Sequence, residues 1–237
     1  MDKFSLIVPC YNEEENLPYL FGRLNSLKEA LIPNFQLQFV FVNDGSTDQT
    51  LKLLGNASFI GCETLVLDHK SNRGLGEAIR TGFKGVNGDF IATIDADCSY
   101  DPMELSEMIK LFDDETDIVI ASPYHPDGRV KDVPRFRLIL SKNVSRLYRF
   151  VLGLKIHTYT SIFRIYRHNI IGRIDFKDSG FFALAEILVD AAYKGCNIKE
   201  YPAELRGRKY GKSKLNFGKE IKNHTSFLLR SMKKRVF

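Results

Sequence analysis

The chain has 237 residues, 44% hydrophobic and 27% charged, an ordinary globular composition with length enough for a sizeable core. It carries 34 Lys and Arg against 29 Asp and Glu, a net charge of +5. Residues 219–237 (KEIKNHTSFLLRSMKKRVF) hold six of the basic residues and one acid, which leaves 28 of each elsewhere, so the charge argues against a nucleic-acid surface and for a local contact near the end of the chain.

The opening MDKFSLIVPCYNEEEN enters an apolar strand at once (FSLIVP, 4–9) and lacks a cationic leader with a long apolar core, so no signal peptide is expected. EEENLPYLFGRLNSLKEAL then reads as a helix and LQFVFVN (37–43) as a strand. NDGSTD leads into the helix TDQTLKLLGNA, which Asp48 or Thr47 is placed to cap. That leaves Asp44, at the strand's carboxyl end, free to accept hydrogen bonds from a base or ribose. ETLVLD (63–68) is the third strand, and HKSNRGLG runs into the helix GLGEAIRTGFKGV. DFIATID (89–95) is the fourth strand, closed by DADCSYD. PMELSEMIKLFDD reads as a helix, with Asp101 before Pro102 suited to cap and first-turn positions. DIVIAS (117–122) is the fifth strand. Such alternation predicts an α/β, Rossmann-like, mostly parallel sheet with helices on both faces. Ligands bind such sheets beyond the carboxyl ends of the strands, and the polar loops CYNEEEN, NDGSTD, HKSNRGLG and DADCSYD all fall there.

Past residue 122, SPYHPDGRVKDVPRFR has three prolines and mixed charge and reads as a mobile loop. LILSKNVSRLYRFVLGL is a helical pattern with a basic face, TSIFRIY a strand, FFALAEILVDAAYKG a helix ending at Gly195, CNIKEYP a short strand and RGRKYGKSKLN a basic loop. No run of 18 apolar residues offers a membrane span. Cys10, Cys62, Cys98 and Cys196 are scattered without CxxC spacing, as expected for thiols kept reduced in a cytoplasmic compartment.

The chemistry concentrates in DAD. Asp95 and Asp97 are two apart, so in extended backbone they face one side, and unpaired they would repel and raise each other's pKa. A hard cation, Mg²⁺ or Mn²⁺, resolves that conflict and commonly takes one or two carboxylates plus phosphate oxygens. NRGLGEAI brings backbone close to something, yet it fails the dinucleotide fingerprint because position 79 is Ile and it follows the third strand. GxxxxGK[ST], GxSxG and metal-binding histidine spacings are absent.

VPCYNEEENLP, VNDGSTDQT, NRGLGEAIRTG, GDFIATIDADCSYDP, FFALAEIL and RGRKYGKSKLN together resemble family-2 glycosyltransferases of the GT-A fold, nearest the polyprenyl-phosphate (dolichyl-phosphate) mannose or glucose synthases. The resemblance runs over residues 4–217. It implies one GT-A domain over 1–217, with a nucleotide-binding half (1–122) and an acceptor half (123–217), followed by a basic amphipathic tail (218–237). It places Pro9, Tyr11, Asn12 and Glu13 at the base and ribose, Asp44 at the base, and Asp95, Ala96 and Asp97 at the metal-bound sugar diphosphate. Ser99 stands where related synthases often carry a Gln as a further metal ligand. Arg137 and Ser141 match the acceptor side. Arg208, Ser213 and Lys214 match a basic segment that closes over the phosphates. The implied reaction moves a hexose from GDP-mannose or UDP-glucose to a polyprenyl phosphate at the cytoplasmic face of a membrane, with Mg²⁺ or Mn²⁺ as cofactor.

Two departures stand out. The family's D-Y-T-S-G-F-R is here Thr158-Tyr-Thr-Ser-Ile162-Phe-Arg164, and its S-R-Y is Ser122-Pro123-Tyr124. Thr cannot act as a base, so the chain is either a transferase to an acceptor already ionised or a weakened, nucleotide-sugar-binding paralogue. In the tail, Ile221, Leu228, Leu229, Met232 and Val236 fall near one helical face, which suits either packing on the core or lying on anionic lipid.

Overall fold

The computed structural model describes residues 1–211, without the side chains of Arg137 and Leu140. Ser213, Lys214 and the expected tail lie outside the described residues.

Seven strands form the main sheet: β1 (Asp2–Cys10), β2 (Phe35–Asp44), β3 (Cys62–His69), β4 (Phe90–Thr93), β5 (Ile118–Ser122), β7 (Arg164–Arg167) and β8 (Ile198–Pro202). Their order is β3-β2-β1-β4-β7-β5-β8, and β7 alone runs antiparallel to its neighbours. Each corresponds to an apolar run expected to be a strand. Strands buried on both faces need no polar alternation, and β2 is buried from Leu37 to Asp44.

Helices α1 (Leu17–Leu31), α2 (Thr50–Gly55) and α4 (Leu105–Met108) cover one face. Leu17, Leu20, Leu24, Leu27 and Leu31 make the buried stripe of α1, at the spacing a 3.6-residue period requires. They pack on Phe4, Leu6 and Val8 of β1 and Phe39 and Phe41 of β2. Helices α3 (Leu75–Gly85) and α7 (Ala183–Tyr193) cover the other face, through Ala78, Ile79, Ala183 and Ile187. Tyr148 and Leu152 of α5 (Arg135–Leu152) pack against Leu188 and Val189 of α7. A short α6 (His168–Ile171) follows β7.

Three expectations need correction. The single helix expected over PMELSEMIKLFDD is a 3-10 turn (Pro102–Glu104), α4, and a second 3-10 turn (Ile109–Leu111). Within it Asp101 does cap the first turn, accepting from the Met103 N–H at 3.0 Å. The loop expected over 122–137 contains β6 (Arg129–Lys131), which pairs in parallel with β9 (Glu204–Arg206), and the first turn of α5. These two three-residue strands carry charged side chains at exposed positions and leave no apolar signature. Asp95 and Asp97 do not lie together on the strand, because β4 ends at Thr93, Asp95 follows it, and Asp97 falls on the turn that comes next.

Arg164 on β7 is fully buried. Its Nη2 donates to the carbonyls of Tyr159 (2.9 Å) and Leu184 (2.8 Å), tying the 158–162 loop to α7. Arg164→Leu removes those donors and leaves two buried carbonyls unmatched. It should lower stability by about 2–4 kcal/mol, read as a fall in the urea midpoint at unchanged slope.

Candidate active site

The carboxyl ends of β1, β2, β3 and β4 open on one cavity of about 640 Å³. Pro9, Tyr11 and Glu13 reach it from the first loop, Asp44 from the second, Asn72 and Gly74 from the third, and Asp95, Ala96, Asp97, Ser99 and Tyr100 from the fourth. The opposite wall comes from Pro123, Tyr124, Asp132, Leu138, Ser141, Val144 and Thr158, and the rim from Arg206, Gly207 and Arg208. Four loops far apart in sequence meet because parallel strands all end on the same side of a sheet.

Asn12 does not reach this cavity. Its backbone is left-handed (φ 51°), its side chain accepts from the Thr47 N–H at 2.7 Å, and its own N–H donates to Ser46 Oγ at 2.9 Å. The side chain sews the first loop to the second. Asp48 joins the same seam, accepting from the Thr50 and Glu14 N–H groups at 2.9 and 3.3 Å.

Asp44 was expected to be a free acceptor, and it is not. Its Oδ1 accepts from the Arg73 N–H (2.9 Å) and faces His69 Nδ1 (2.7 Å), and its Oδ2 accepts from the Gly74 N–H (2.8 Å). The carboxylate therefore anchors the loop that opens α3, an arrangement a helix N-terminus favours. It still borders the cavity, and an ionised carboxylate has about four acceptor positions, so room for a ligand hydrogen bond remains. Gly74 has φ +95°, and a Cβ there would lie 2.3 Å from the Ser179 carbonyl oxygen. What the glycines of NRGLGEAI approach is the 178–180 backbone, where the Gly76 N–H donates to Ser179 O at 2.7 Å. Gly74→Ala should distort this junction and lower the melting temperature by several degrees, measurable by calorimetry.

The acidic turn is tightly built. Asp97 Oδ1 accepts from the Ser99 N–H at 2.9 Å, and the Ser99 carbonyl accepts from the Arg206 N–H at 2.8 Å. Ser99 thus ties the turn to β9. Asp97 Oδ2 accepts from Arg208 Nε at 2.9 Å, and Arg208 Nη2 reaches Glu13 Oε1 at 2.6 Å. Burial alone would depress the guanidinium's pKa, but Asp97 and Glu13 outweigh it and hold it above its ordinary value. Sequence reasoning placed Arg208 over the phosphates but did not find its carboxylate partners. Lys209 Nζ lies 4.4 Å from the Tyr19 ring centroid, which holds the same loop against α1. Cys98 is no nucleophile at neutral pH, since burial, with Asp97 and Asp101 adding to it, pushes its thiol up to about 12.

Below this turn Glu104 accepts from the Glu204 N–H of β9. Burial, reinforced by Asp101, pushes its carboxyl from 4.5 up to about 7. Between those values the folded chain binds a proton that the unfolded chain does not. This contribution should therefore lower stability as pH rises from about 4.5 to about 7. Glu104→Gln should flatten that slope, checked by urea unfolding on either side of the window.

On the wall opposite the acidic turn Thr158 is buried, its hydroxyl 2.8 Å from Ser122 Oγ and its N–H 3.2 Å from Glu200 Oε1. Glu200 is engaged with His157 Nδ1 at 2.6 Å and does not line the cavity. Among the described residues, Asp132 is the carboxylate on this wall. Ser141 lines the cavity, and Arg137 lies one helical turn before it on α5.

Asp95 and Asp97 suit a divalent ion. Two carboxylates two positions apart, facing a cavity with room for a diphosphate, are a donor set that Mg²⁺ and Mn²⁺ accept. Among the described residues no group of three His, Cys, Asp or Glu forms a closed cage, and these ions do not need one when phosphate oxygens and water complete the shell.

Comparison with known proteins matches residues 5–175 to the family described as Glycosyl transferase family 2. The chain is 32% identical over 218 residues to a polyprenol monophosphomannose synthase of Mycolicibacterium smegmatis, covering 89% of this chain and 80% of that one. It is 31% identical over 233 residues to a dolichol-phosphate mannosyltransferase of Pyrococcus furiosus, covering 98% of this chain but only 64% of the relative's length. Among solved structures, glucosyl-3-phosphoglycerate synthase from Mycobacterium tuberculosis, crystallised with Mn²⁺, UDP and glucosyl-3-phosphoglycerate, superposes with a TM-score of 0.70 at 16% identity. That match covers 99% of this chain and 80% of the other, and it establishes the GT-A fold alone.

Proposed function

Because the chain belongs to glycosyl transferase family 2 and is a glycosyltransferase, we propose that it moves a hexose from a nucleotide-diphosphate sugar to a polyprenyl phosphate with inversion. One observation carries this reading. Asp95 and Asp97 follow the middle strand β4, with Arg208 on Asp97, in a cavity that is also lined by the amphipathic helix α5.

The nucleotide lies against Pro9, Tyr11 and the Asp44 edge. Asp95 and Asp97 hold Mg²⁺ or Mn²⁺, and the backbone of Ala96 borders the same diphosphate. When bound, the ion offsets charge on the departing diphosphate. Arg208 donates to the same oxygens; the family resemblance gives Ser213 and Lys214 a part there too, but both lie outside the described residues. Ser141, which lines the cavity, borders the acceptor phosphate, and the family resemblance gives Arg137 to the same side. An oxygen of that phosphate forms the new bond to the anomeric carbon as the bond from that carbon to the diphosphate breaks, and the nucleoside diphosphate leaves with the electron pair. No base is required, because a phosphate monoester with a second pKa of about 6 is already largely ionised at pH 7. Thr158 in place of an acid is compatible with that. The relatives' names favour a mannosyl donor, so GDP-mannose is the first to test and UDP-glucose the second. Protein, Mn²⁺, labelled donor and a short polyprenyl phosphate should move label into the organic phase. Donor binding without transfer would instead indicate the inactive paralogue.

Access to a lipid acceptor is consistent with α5. Leu138, Ser141 and Val144 face the cavity, while Ile139, Leu147 and Phe150 (86% exposed) face outward. Arg135, Lys142, Arg146 and Arg149 are exposed beside them, and the helix has no acidic residue. Among the described residues no helix is long and apolar enough to cross a membrane. A helix of this kind lies in an anionic interface. The double substitution Leu147→Glu with Phe150→Glu should reduce sedimentation with anionic vesicles about tenfold or more, with transfer to a short, water-soluble acceptor retained.

A further inference from the structure

Glu13 was expected to touch the nucleotide, but both of its oxygens are engaged within the protein. Oε1 takes Arg208 Nη2 at 2.6 Å, and Oε2 takes Asn16 Nδ2 at 2.6 Å. Its backbone N–H is fixed on Thr50 Oγ1 at 2.7 Å. The side chain is 9% exposed, against 17% for Arg208 and 14% for Asp97. Arg208 thus bridges two carboxylates that come from different loops, 195 and 111 residues away in sequence. Only one of the two, Asp97, belongs to the acidic pair suited to a cation.

The consequence is a competition. Asp97 Oδ1 already accepts from the Ser99 N–H and Oδ2 from Arg208, so a divalent ion held by Asp95 and Asp97 through Oδ2 competes with the guanidinium. A buried guanidinium expelled from its carboxylate with nothing in exchange would be strongly unfavourable. Here it keeps Glu13, whose orientation Asn16 and the Thr50 anchor fix. A guanidinium has five N–H donors in a rigid fork, enough to stay on Glu13 while offering another edge to phosphate oxygens.

We infer that Glu13 is a positioning residue for Arg208, a second carboxylate that retains the guanidinium at the diphosphate site while Asp97 exchanges it for the metal ion. This rests on the reading of the cavity as a metal–diphosphate site. It gives Glu13 a part in cation uptake that acts through Arg208 rather than through the nucleotide.

The test is a double-mutant cycle on Mn²⁺ binding to the full chain without donor, followed by electron paramagnetic resonance. Arg208→Gln removes the competitor and should tighten Mn²⁺ binding. Glu13→Gln leaves Arg208 with Asp97 as its principal carboxylate and should weaken Mn²⁺ binding about tenfold. In the Arg208→Gln background the same Glu13→Gln change should have little effect. An equal loss in both backgrounds would reduce Glu13 to a distant charge and overturn the inference. So would unchanged Mn²⁺ binding with weakened donor-nucleotide binding, the signature of direct nucleotide contact. If the parent protein takes up no Mn²⁺ even with a saturating nucleoside diphosphate present, the site reading falls and takes the inference with it. Melting curves establish that each variant is folded. Should Glu13→Gln fail to fold, Asn16→Ala loosens the same carboxylate without removing its charge and should weaken Mn²⁺ binding in the parent but not in Arg208→Gln.

Discussion

Asp97→Asn is expected to lower transfer by about 10³-fold or more, the range seen when electrostatic support for a departing anion is removed. The substitution preserves size and keeps an oxygen able to accept from the Ser99 N–H, which is 2.9 Å from Asp97 Oδ1 now. The turn and its link to β9 should survive, so melting should change little while Mn²⁺ uptake and turnover collapse together. Asp95→Asn should act in the same direction. Near-normal transfer by Asp97→Asn at saturating donor would sink the metal–diphosphate reading, because no other paired acids stand on the carboxyl edge of β4 among the described residues.

The second large effect concerns the acceptor. Replacing polyprenyl phosphate with the parent alcohol should slow transfer by on the order of 10²–10⁴, the contribution expected of a general base the alcohol would need and the cavity does not supply at Thr158. With the phosphate acceptor, rate should rise through pH about 6 as the second ionisation completes and then level off. Asp132→Asn separates the two chemistries. It lines the cavity on the same wall as Thr158, so a hydroxyl acceptor bound there would need it as the base and its loss would be severe. A phosphate acceptor should leave kcat/KM within a factor of about three. Full activity toward the alcohol, abolished by Asp132→Asn, would replace the proposed acceptor with a hydroxyl.

The inner strands β1, β2, β4 and β5 were legible because they are largely buried and so are written as apolar runs, while the edge strands β3 and β8 are only half-buried. The convergence of the four polar loops followed from parallel topology alone. Other features left no such trace. β6 and β9 are three charged-flanked residues each, stabilised by one another across more than seventy positions, and local composition holds no record of such a partner. The segment after Pro102 has helical periodicity yet folds as 3-10, α and 3-10 pieces, since periodicity reports which side is buried and not which hydrogen bonds are made. Asn12 and Asp44 have residue types suited to ligand contact. Their side chains are instead spent wholly or largely on neighbouring loops, a choice made by the distance of a backbone N–H and not by the residue itself.

The sequence by itself determined the layers, the strand-end placement of the acidic pair and the family, because these rest on local pattern and on motifs that survive in one dimension. Only the tertiary structure decided which charge answers which: Arg208 between Asp97 and Glu13, Asp44 on the 73–74 backbone, Thr158 against Ser122. Hydrogen bonds and close ion pairs need contact within a few ångströms, and such contacts between residues from about thirty to nearly two hundred positions apart exist only once the chain has folded.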